Sequence, residues 1–359
     1  MKIVVVGVGH CGTKIADVFS SSGYSALAIN TARQDLSWLN FIPSENRVLI
    51  GKSITRGRGV GANPLKGRDA ANSDIQDVYK KIKEIGSQDI DIYFVSAGLG
   101  GGTGSGGAPI IAQKIKEEFP ESLVVGIGVL PLAIEGDQAI INSAIGLSGM
   151  NKAVDALILI DNERLRSADE DISTAYENIN RAIVSRINTL VRFTTMSGEQ
   201  IIDGNDVKAT LSGFGGIATI GYVNEPVKSV NSITPLIEKA IKPDEGLYLD
   251  IDVKTALKAI VAISGPMKCL AASEIFEGLE FLKETIKGHQ VFRGIYPKPN
   301  ADQVEILALL SGVYRSPRID EIMMYAKNAA ADLKAAVIEA EKSLYDLLRD
   351  GEELESFYT

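Results

Sequence analysis

The first 165 residues alternate between short apolar runs and longer segments in which apolar residues recur every three or four positions. Several runs are nearly continuous Val, Ile and Leu, which is typical of strands covered on both faces. They predict strands at Lys2–Val6, Ala26–Asn30, Arg47–Ile50, Ile92–Ala97, Leu123–Leu130 and Ala156–Ile160. The periodic segments predict helices at Thr13–Ser21, Asp69–Ile85, Ser105–Phe119 and Gln138–Met150. This alternation indicates a parallel sheet with helices on both sides, which binds ligands at the carboxyl ends of its strands.

A long helix separates this half from the rest of the chain. Apolar residues recur at helical spacing from Asp171 to Phe193, which predicts a connecting helix with one wide apolar stripe. The second half predicts strands at Gly215–Val223, Leu257–Ser264, Val291–Tyr296 and Gln303–Ser311, and helices at Ser232–Ile241, Ala271–Lys287 and Ile319–Leu348. We therefore predict a Rossmann-like α/β domain over residues 1–170, a connecting helix over 171–194, and an α+β domain over 195–318. Residues 319–359 would form a C-terminal helix followed by an acidic tail, Asp350–Thr359, that we expect to be mobile.

Composition narrows the class of protein. The length of 359 residues suits two domains, because single cores rarely grow beyond roughly 250–300 residues. A net charge of −9 opposes non-specific binding to nucleic acid or anionic lipid, so we expect no nucleic-acid partner, and the sequence does not indicate whether a membrane is one. The only cysteines are Cys11 and Cys269, which suits a reducing cytoplasm. Because His10 and His289 are the only histidines, a zinc site and a Ser-His-Asp triad are both disfavoured.

Two glycine-rich turns follow predicted strands. The first, Gly7–Gly12, matches the dinucleotide pattern GxGxxG, in which glycines let backbone N–H groups and a helix N-terminus approach an anion. Binding of NAD also requires an acidic residue at the end of the second strand, where this chain has Asn30. The dinucleotide interpretation is therefore weakened.

The second turn, Gly98–Gly107, contains seven glycines in ten residues. A structural turn does not need so many, because each one costs chain entropy on folding. The composition instead suits a backbone that wraps a polyphosphate, with the hydroxyls of Thr103 and Ser105 as further donors. A Walker A loop is excluded, because the glycine that must precede Gly51-Lys52-Ser53 is replaced by Asn46.

A family resemblance covers the chain from residue 7 to about residue 211. Gly100–Gly106 reads GGGTGSG, which is the signature of tubulin. The other similar motifs are Gly9–Gly12 (tubulin GQCG), Asn30–Gln34 (FtsZ NTDAQ), Thr55–Pro64 (FtsZ TRGLGAGANP), Glu135–Gly136, Val154–Leu165, Tyr176–Asn180 (tubulin YGDLN) and Ile201–Lys208. The chain thus resembles the tubulin/FtsZ superfamily, and its blend of loops resembles the archaeal CetZ group. The resemblance implies the tubulin/FtsZ fold and a cytoplasmic GTPase that polymerises head to tail and controls cell shape.

The resemblance also implies site residues for GTP or GDP. The phosphates would be held by Gly9, His10, Cys11, Gly12, Thr13 and Lys14 from one side, by Gly101, Gly102, Thr103 and Gly104 from the other, with Asn30 nearby. Glu135 would bind the ribose, Asn162 and Asn180 would read the guanine edge, and Tyr176 would stack on the base. Taken singly, these four residues also suit structural roles as helix-start acid, caps and core aromatic. Mg²⁺ is expected on phosphate oxygens and water, without a protein ligand that we can name.

The hydrolytic residues implied by the resemblance lie elsewhere, in the loop near 201–208. Asp203 and Asp206 from one subunit would enter the nucleotide pocket of the next and orient the attacking water. The same acids also suit an N-cap for a helix over 206–212, and the two roles are compatible. FtsZ has an asparagine at the position of Ile201 and an arginine at that of Ala139, so slow hydrolysis is expected.

Three alternatives remain open at the level of sequence. One is an FtsZ-type cell-division protein, and another is a structural filament protein that binds GTP but barely hydrolyses it. An NAD-dependent oxidoreductase built on the first glycine turn is disfavoured by Asn30 and by the shortage of histidines.

Overall fold

The computed structural model describes residues 1–86, 89–165, 172–213, 216–286, 288 and 290–355. The strands are β1 (Ile3–Val8), β2 (Ser25–Asn30), β3 (Arg47–Leu49), β4 (Ile92–Gly98), β5 (Leu123–Leu130), β6 (Ala156–Asp161), β7 (Ile217–Pro226), β8 (Lys258–Gly265), β9 (Gln290–Pro297) and β10 (Gln303–Val313). The helices are α1 (Gly9–Ser21), α2 (Arg33–Ser37), α3 (Lys52–Thr55), α4 (Pro64–Ser73), α5 (Ile75–Ile85), α6 (Gly102–Glu118), α7 (Asp137–Ala153), α8 (Asn162–Leu165), α9 (Ile172–Phe193), α10 (Gly204–Leu211), α11 (Thr234–Ile241), α12 (Ala272–Ile286) and α13 (Pro317–Glu355).

The described strands form one sheet in the order β3-β2-β1-β4-β5-β6-β7-β10-β8-β9. Strands β1 to β6 are mutually parallel, as predicted. The sheet continues into the second half through a short parallel pairing in which Leu157 and Ile158 of β6 face Ile217 and Ala218 of β7. Strand β10 then lies antiparallel to both β7 and β8. The two halves of the chain therefore share one continuous sheet.

A hydrophobic core lies on each face of this sheet because neighbouring strand residues point to opposite sides. Along β1, Val4 and Val6 belong to one core and Val5 to the other. Helix α9 supplies its predicted apolar stripe, including Ile183 and Leu190, to the second core. The connecting helix is therefore packed against the sheet along its length rather than exposed between two bodies.

One predicted helix is two helices in the structure. The segment predicted as Asp69–Ile85 forms α4 and α5, which meet at Asp74. The Asp74 carboxylate accepts a hydrogen bond from the Gly51 backbone N–H at 2.7 Å, which stabilises the break. Helix α4 also begins five residues earlier than predicted, because Asn63 caps it and Pro64 occupies its first position.

Other helix boundaries differ from the prediction as well. Helices α1 and α6 begin at Gly9 and Gly102, four and three residues earlier than predicted, so that more of each glycine-rich turn is helical. Helix α10 begins at Gly204 instead of residue 206 and ends at Leu211. Helix α13 extends to Glu355, so the segment predicted to be a mobile tail from Asp350 is helical as far as the structure describes it. The predicted boundaries at 171, 215 and 287 fall outside the described residues.

Candidate functional site

The glycine-rich turns bring two helix N-termini to the carboxyl edge of the sheet. Helix α1 follows β1 directly, and helix α6 follows β4, the strand that pairs with β1. Neither helix has a side-chain cap, and neither carries an acidic residue in its first turn. The exposed N–H groups and the positive ends of two helix dipoles therefore face the same region. Such an arrangement favours a ligand of high negative charge.

A cavity of about 1050 Å³ opens at this edge. Besides the glycine-rich turns, it is bordered by the segment that follows β2, by the loop 58–62 between α3 and α4, and by the first turns of α9. Of the residues predicted for the site, those that line the cavity are Gly9, His10, Cys11, Lys14, Asn30, Gly101, Gly102, Thr103, Gly104, Glu135, Asn162, Tyr176 and Asn180. Residues separated by up to 171 positions thus border one space.

Two residues predicted to cradle the phosphates do not line the cavity. Gly12 packs against β4, where a Cβ atom would lie 2.1 Å from the Ser96 carbonyl oxygen. The Thr13 side chain is fully buried, and its hydroxyl donates to the carbonyl of His10 at 2.9 Å. Gly12 therefore packs α1 closely against the sheet, and the Thr13 hydroxyl is already engaged within α1.

An acidic residue that sequence reasoning missed organises the end of the cavity that borders the first glycine-rich turn. Asp35 accepts a hydrogen bond from the Asn30 amide at 2.9 Å, and its other oxygen lies 3.3 Å from His10 Nδ1. The hydrogen bond with His10 is the main reason that the pKa of Asp35 lies below its ordinary value. The side-chain oxygen Oδ1 of Asn30 accepts in turn from the backbone N–H groups of Thr31 and Ala32. Asn30 thus shapes the loop and positions Asp35. A carboxylate directly after the NTDAQ-like motif was the only sequence signal.

A hydroxyl pair joins the two sides of the cavity. The Thr31 and Thr103 hydroxyls lie 2.7 Å apart, and both side chains are buried. One hydroxyl must donate to the other, so a single hydroxyl hydrogen remains for a ligand or a backbone acceptor. The loop after β2 and the first turn of α6 are therefore held together.

The opposite end of the cavity carries the residues predicted for ribose and base. Tyr176 Oη lies 3.4 Å from Glu135 Oε1, and burial together with the charge of Glu135 raises the pKa of Tyr176 to about 12. Asn162 is 5% exposed, and its side-chain oxygen has no hydrogen-bond partner among the described residues. A buried acceptor without a donor is costly unless a ligand supplies one. This end is consequently suited to a ligand that donates hydrogen bonds.

The cysteine in the first glycine-rich turn has a thiol that stays protonated. Burial, with a smaller contribution from the charge of Glu135, raises the pKa of the Cys11 thiol to about 12. The thiol is therefore neutral at physiological pH and serves as a small apolar wall beside Gly98, whose Cβ position lies 2.6 Å from Cys11 Cβ.

Asp203 and Asp206 lie at the other end of β1. A Cβ on Gly204, between the two acids, would lie 2.7 Å from Met1 Cγ, whereas the cavity begins at Val8. A strand of six residues spans roughly 20 Å, so neither carboxylate reaches the cavity of its own chain. The two acids form a capping box: Asp203 accepts from the Asn205 and Asp206 N–H groups, and Asp206 accepts from the Asp203 N–H. Asp203 is exposed on the surface.

Neither a metal cluster nor a membrane span is found in the described part of the chain. No group of three or more His, Cys, Asp or Glu side chains there could hold a metal ion. None of the described helices is long and apolar enough to cross a bilayer.

Family models divide the chain near residue 169. Residues 2–169 match the GTPase domain of the Tubulin/FtsZ family, and residues 169–328 match the C-terminal domain of tubulin-like CetZ proteins. The sequence is 46% identical to the tubulin-like protein CetZ of Pyrococcus horikoshii, over all of this chain and 98% of that protein.

Solved structures of similar proteins share the fold. CetZ2 from Haloferax volcanii, a GTPγS-bound protofilament, has a TM-score of 0.84 at 32% identity and covers 93% of this chain and all of its own. An empty FtsZ dimer from M. jannaschii has a TM-score of 0.70 at 29% identity and covers 87% of this chain and 88% of its own. The predicted fold is confirmed by these likenesses.

Proposed function

Because the chain belongs to the tubulin-like CetZ proteins of the tubulin/FtsZ family, we propose that it binds and hydrolyses GTP in this cavity and assembles head to tail into filaments. The observation that carries the proposal is the meeting of two uncapped helix N-termini, α1 and α6, at one cavity. Their N–H groups would bind the phosphates, each hydrogen bond contributing about 1–3 kcal/mol because the acceptor is charged.

The residues at the other end of the cavity would select guanine. The unpartnered oxygen of Asn162 would accept from the N1 or N2 hydrogens of the base, which adenine does not offer. Asn180 would add a second amide, Tyr176 would stack on the ring, and Glu135 would accept from the ribose hydroxyls. Mg²⁺ would be held by phosphate oxygens and water, since the described residues offer no cluster of metal-ligating side chains.

Hydrolysis would need a second copy of the chain. The separation of Asp203 and Asp206 from their own cavity, by the length of β1, prevents them from acting there. Head-to-tail assembly would bring the exposed Asp203 and its neighbour Asp206 of one subunit to the phosphates of the next, where their charges would orient the attacking water. The capping box would hold both carboxylates in place for this role.

A complementation assay tests the shared site. One variant, Asp203→Asn with Asp206→Asn, keeps the cavity but removes the acids. A second, Gly9→Val, keeps the acids but distorts the cavity, because a Cβ on Gly9 would lie 2.9 Å from the backbone nitrogen of Gly104 in the other glycine-rich turn. Each variant alone should hydrolyse little GTP, and an equimolar mixture should regain a substantial part of the wild-type rate, because the acids of one would serve the cavity of the other. A mixture as inactive as its components, with both variants folded and the first still binding GTP, would contradict a site shared between subunits.

A filament protein with little hydrolysis is the second candidate. It is favoured by the apolar residue that lies in the chain two positions before Asp203. Ile201 is 60% exposed next to Asp203, where FtsZ has a polar asparagine. Ile201→Asn should raise turnover per subunit at a fixed concentration of polymer if this position limits hydrolysis. An unchanged rate, near zero in both proteins, would favour the structural filament.

The control of cell shape is proposed from family membership alone. A change of cell outline on deletion of the gene, without a division defect, would support it.

A further inference from the structure

The contact between His10 and Asp35 places a carboxylate behind an imidazole that borders the cavity. His10 Nδ1 lies 3.3 Å from Asp35 Oδ1, while 58% of the His10 side chain is exposed and His10 lines the cavity. Asp35 is 23% exposed and is held from its other side by the amide of Asn30. The carboxylate therefore cannot rotate away without losing a second hydrogen bond. The ring nitrogen left for a ligand is Nε2.

The count of protons decides what this imidazole can bind. A neutral imidazole has one N–H group and one bare nitrogen that accepts. Because the Asp35 carboxylate only accepts, it holds that single hydrogen on Nδ1, and Nε2 is left as a lone pair. Phosphate oxygens also only accept, so the neutral ring offers them no hydrogen bond. The imidazolium, in contrast, donates to Asp35 and to a phosphate at once.

We propose that His10 binds the phosphates of the nucleotide as an imidazolium backed by Asp35, so that nucleotide binding takes up a proton from solution. The proposal rests on the proposed function, because it requires an anionic nucleotide in this cavity. Histidine suits this role because its charge change falls close to physiological pH. Two negative groups, one on each ring nitrogen, would hold the proton by charge-assisted hydrogen bonds.

Other charges around the cavity act on the same equilibrium. The ionisable residues that border it are His10, Cys11, Lys14, Asp17, Asp35, Arg58, Glu135, Tyr176, Glu177 and Arg181. Lys14, on the same face of α1 one turn after His10, opposes a second positive charge, but its ammonium group is directed to the Trp38 carbonyl at 3.3 Å. Asp17 is engaged by three backbone N–H groups of residues 40–42. Asp35 is thus the carboxylate in direct contact with the ring.

Calorimetry of GDP binding tests the proton uptake. Titrations of the full chain at pH 7.5, in buffers of different ionisation heat, give the number of protons taken up per nucleotide. GDP avoids hydrolysis, and its own ionisation is the same for every variant. The wild type should take up more protons than His10→Gln, by up to about one per nucleotide, since glutamine donates without titrating. Asp35→Asn should take up fewer protons per nucleotide than the wild type. As the pH falls from 8 to 6, the affinity for GDP should rise more steeply in the wild type than in His10→Gln. The rise approaches tenfold per pH unit if binding of each nucleotide takes up one proton.

The outcomes separate this inference from the proposed function. Equal proton uptake by the wild type and His10→Gln, with GDP bound by both, would overturn the inference and leave the nucleotide site intact. Uptake by Asp35→Asn equal to that of the wild type would overturn the part assigned to Asp35. Absence of GDP binding to the wild type at any pH would overturn the proposed function and the inference with it.

Discussion

The backbone nitrogen of Gly104 lies 2.9 Å from the position that a Cβ atom would occupy on Gly9. The two glycine-rich turns therefore touch backbone to backbone, with no space for a side chain between them. Gly9 also has a φ of +74°, which side-chain-bearing residues rarely adopt. The closeness of the two turns sets the distance between the N-termini of α1 and α6.

We expect Gly9→Ala to weaken nucleotide binding at least tenfold, because the added methyl group would push the two turns apart and the residue would be strained. Equilibrium dialysis with labelled GTP would measure the loss. Gly23→Ala is the matched control, since its φ of +90° gives a similar backbone strain, nothing lies within 4 Å of its Cβ position, and it does not line the cavity. Weakening of the same size in both variants would show that backbone strain, and not the contact between the turns, decides the loss.

Asn162→Ala should lower the affinity for GTP by about 1–3 kcal/mol while leaving thermal stability nearly unchanged, because its buried oxygen has no partner to lose within the described protein. Asn142→Ala is the contrasting variant. The Asn142 amide donates to the carbonyls of Ala62 and Gly100 at 2.8 and 3.0 Å, so its removal should lower stability. Melting curves would measure the stability of both variants, and competition between GTP and ATP would measure the loss of affinity for GTP. A large drop in the melting temperature of Asn162→Ala would argue for a structural role.

Modification of Cys11 should depend steeply on pH. With a pKa raised to about 12, only about one Cys11 thiol in ten thousand is ionised at pH 8, and the thiolate is the reactive form. Because the pKa is raised, reactivity should increase with pH up to about 12, roughly tenfold per unit. Rates of iodoacetamide labelling at pH 7, 8 and 9, read at Cys11 by peptide mass, would check this. Fast labelling at pH 7 would mean that neither desolvation nor the negative charge of Glu135 raises the pKa of the thiol.

Asp17→Ala should destabilise the fold by about 3 kcal/mol or more, because the buried carboxylate accepts from the backbone N–H groups of Asn40, Phe41 and Ile42, each at 2.9 Å. Asp17→Asn should cost less, since an amide oxygen still accepts. Urea unfolding of the three proteins would give the free energies of unfolding. Equal stability of wild type and Asp17→Ala would show that water replaces the carboxylate without loss.

Sequence determined the element types and the two glycine-rich turns, because both depend on local backbone chemistry. The strands β1 and β5 read as continuous apolar runs, and the excess of glycine in the second turn predicted a backbone binding site in a turn that lines the cavity of the structure. Helix boundaries were less accurate where side chains far along the chain decide them. The break at Asp74 depends on a hydrogen bond to Gly51, 23 residues earlier, which no local pattern contains.

Only the tertiary structure decided which of the candidate residues share a space. Packing on β4 takes Gly12 away from the cavity, and the turn after β2 brings Asp35 to His10 across 25 positions of sequence. The direction of β1 places Asp203 and Asp206 at the edge opposite the cavity, a separation that the sequence motifs alone do not give. The physical reason is that spacing along the chain specifies local conformation, whereas distance through space depends on how the sheet orders and orients its strands.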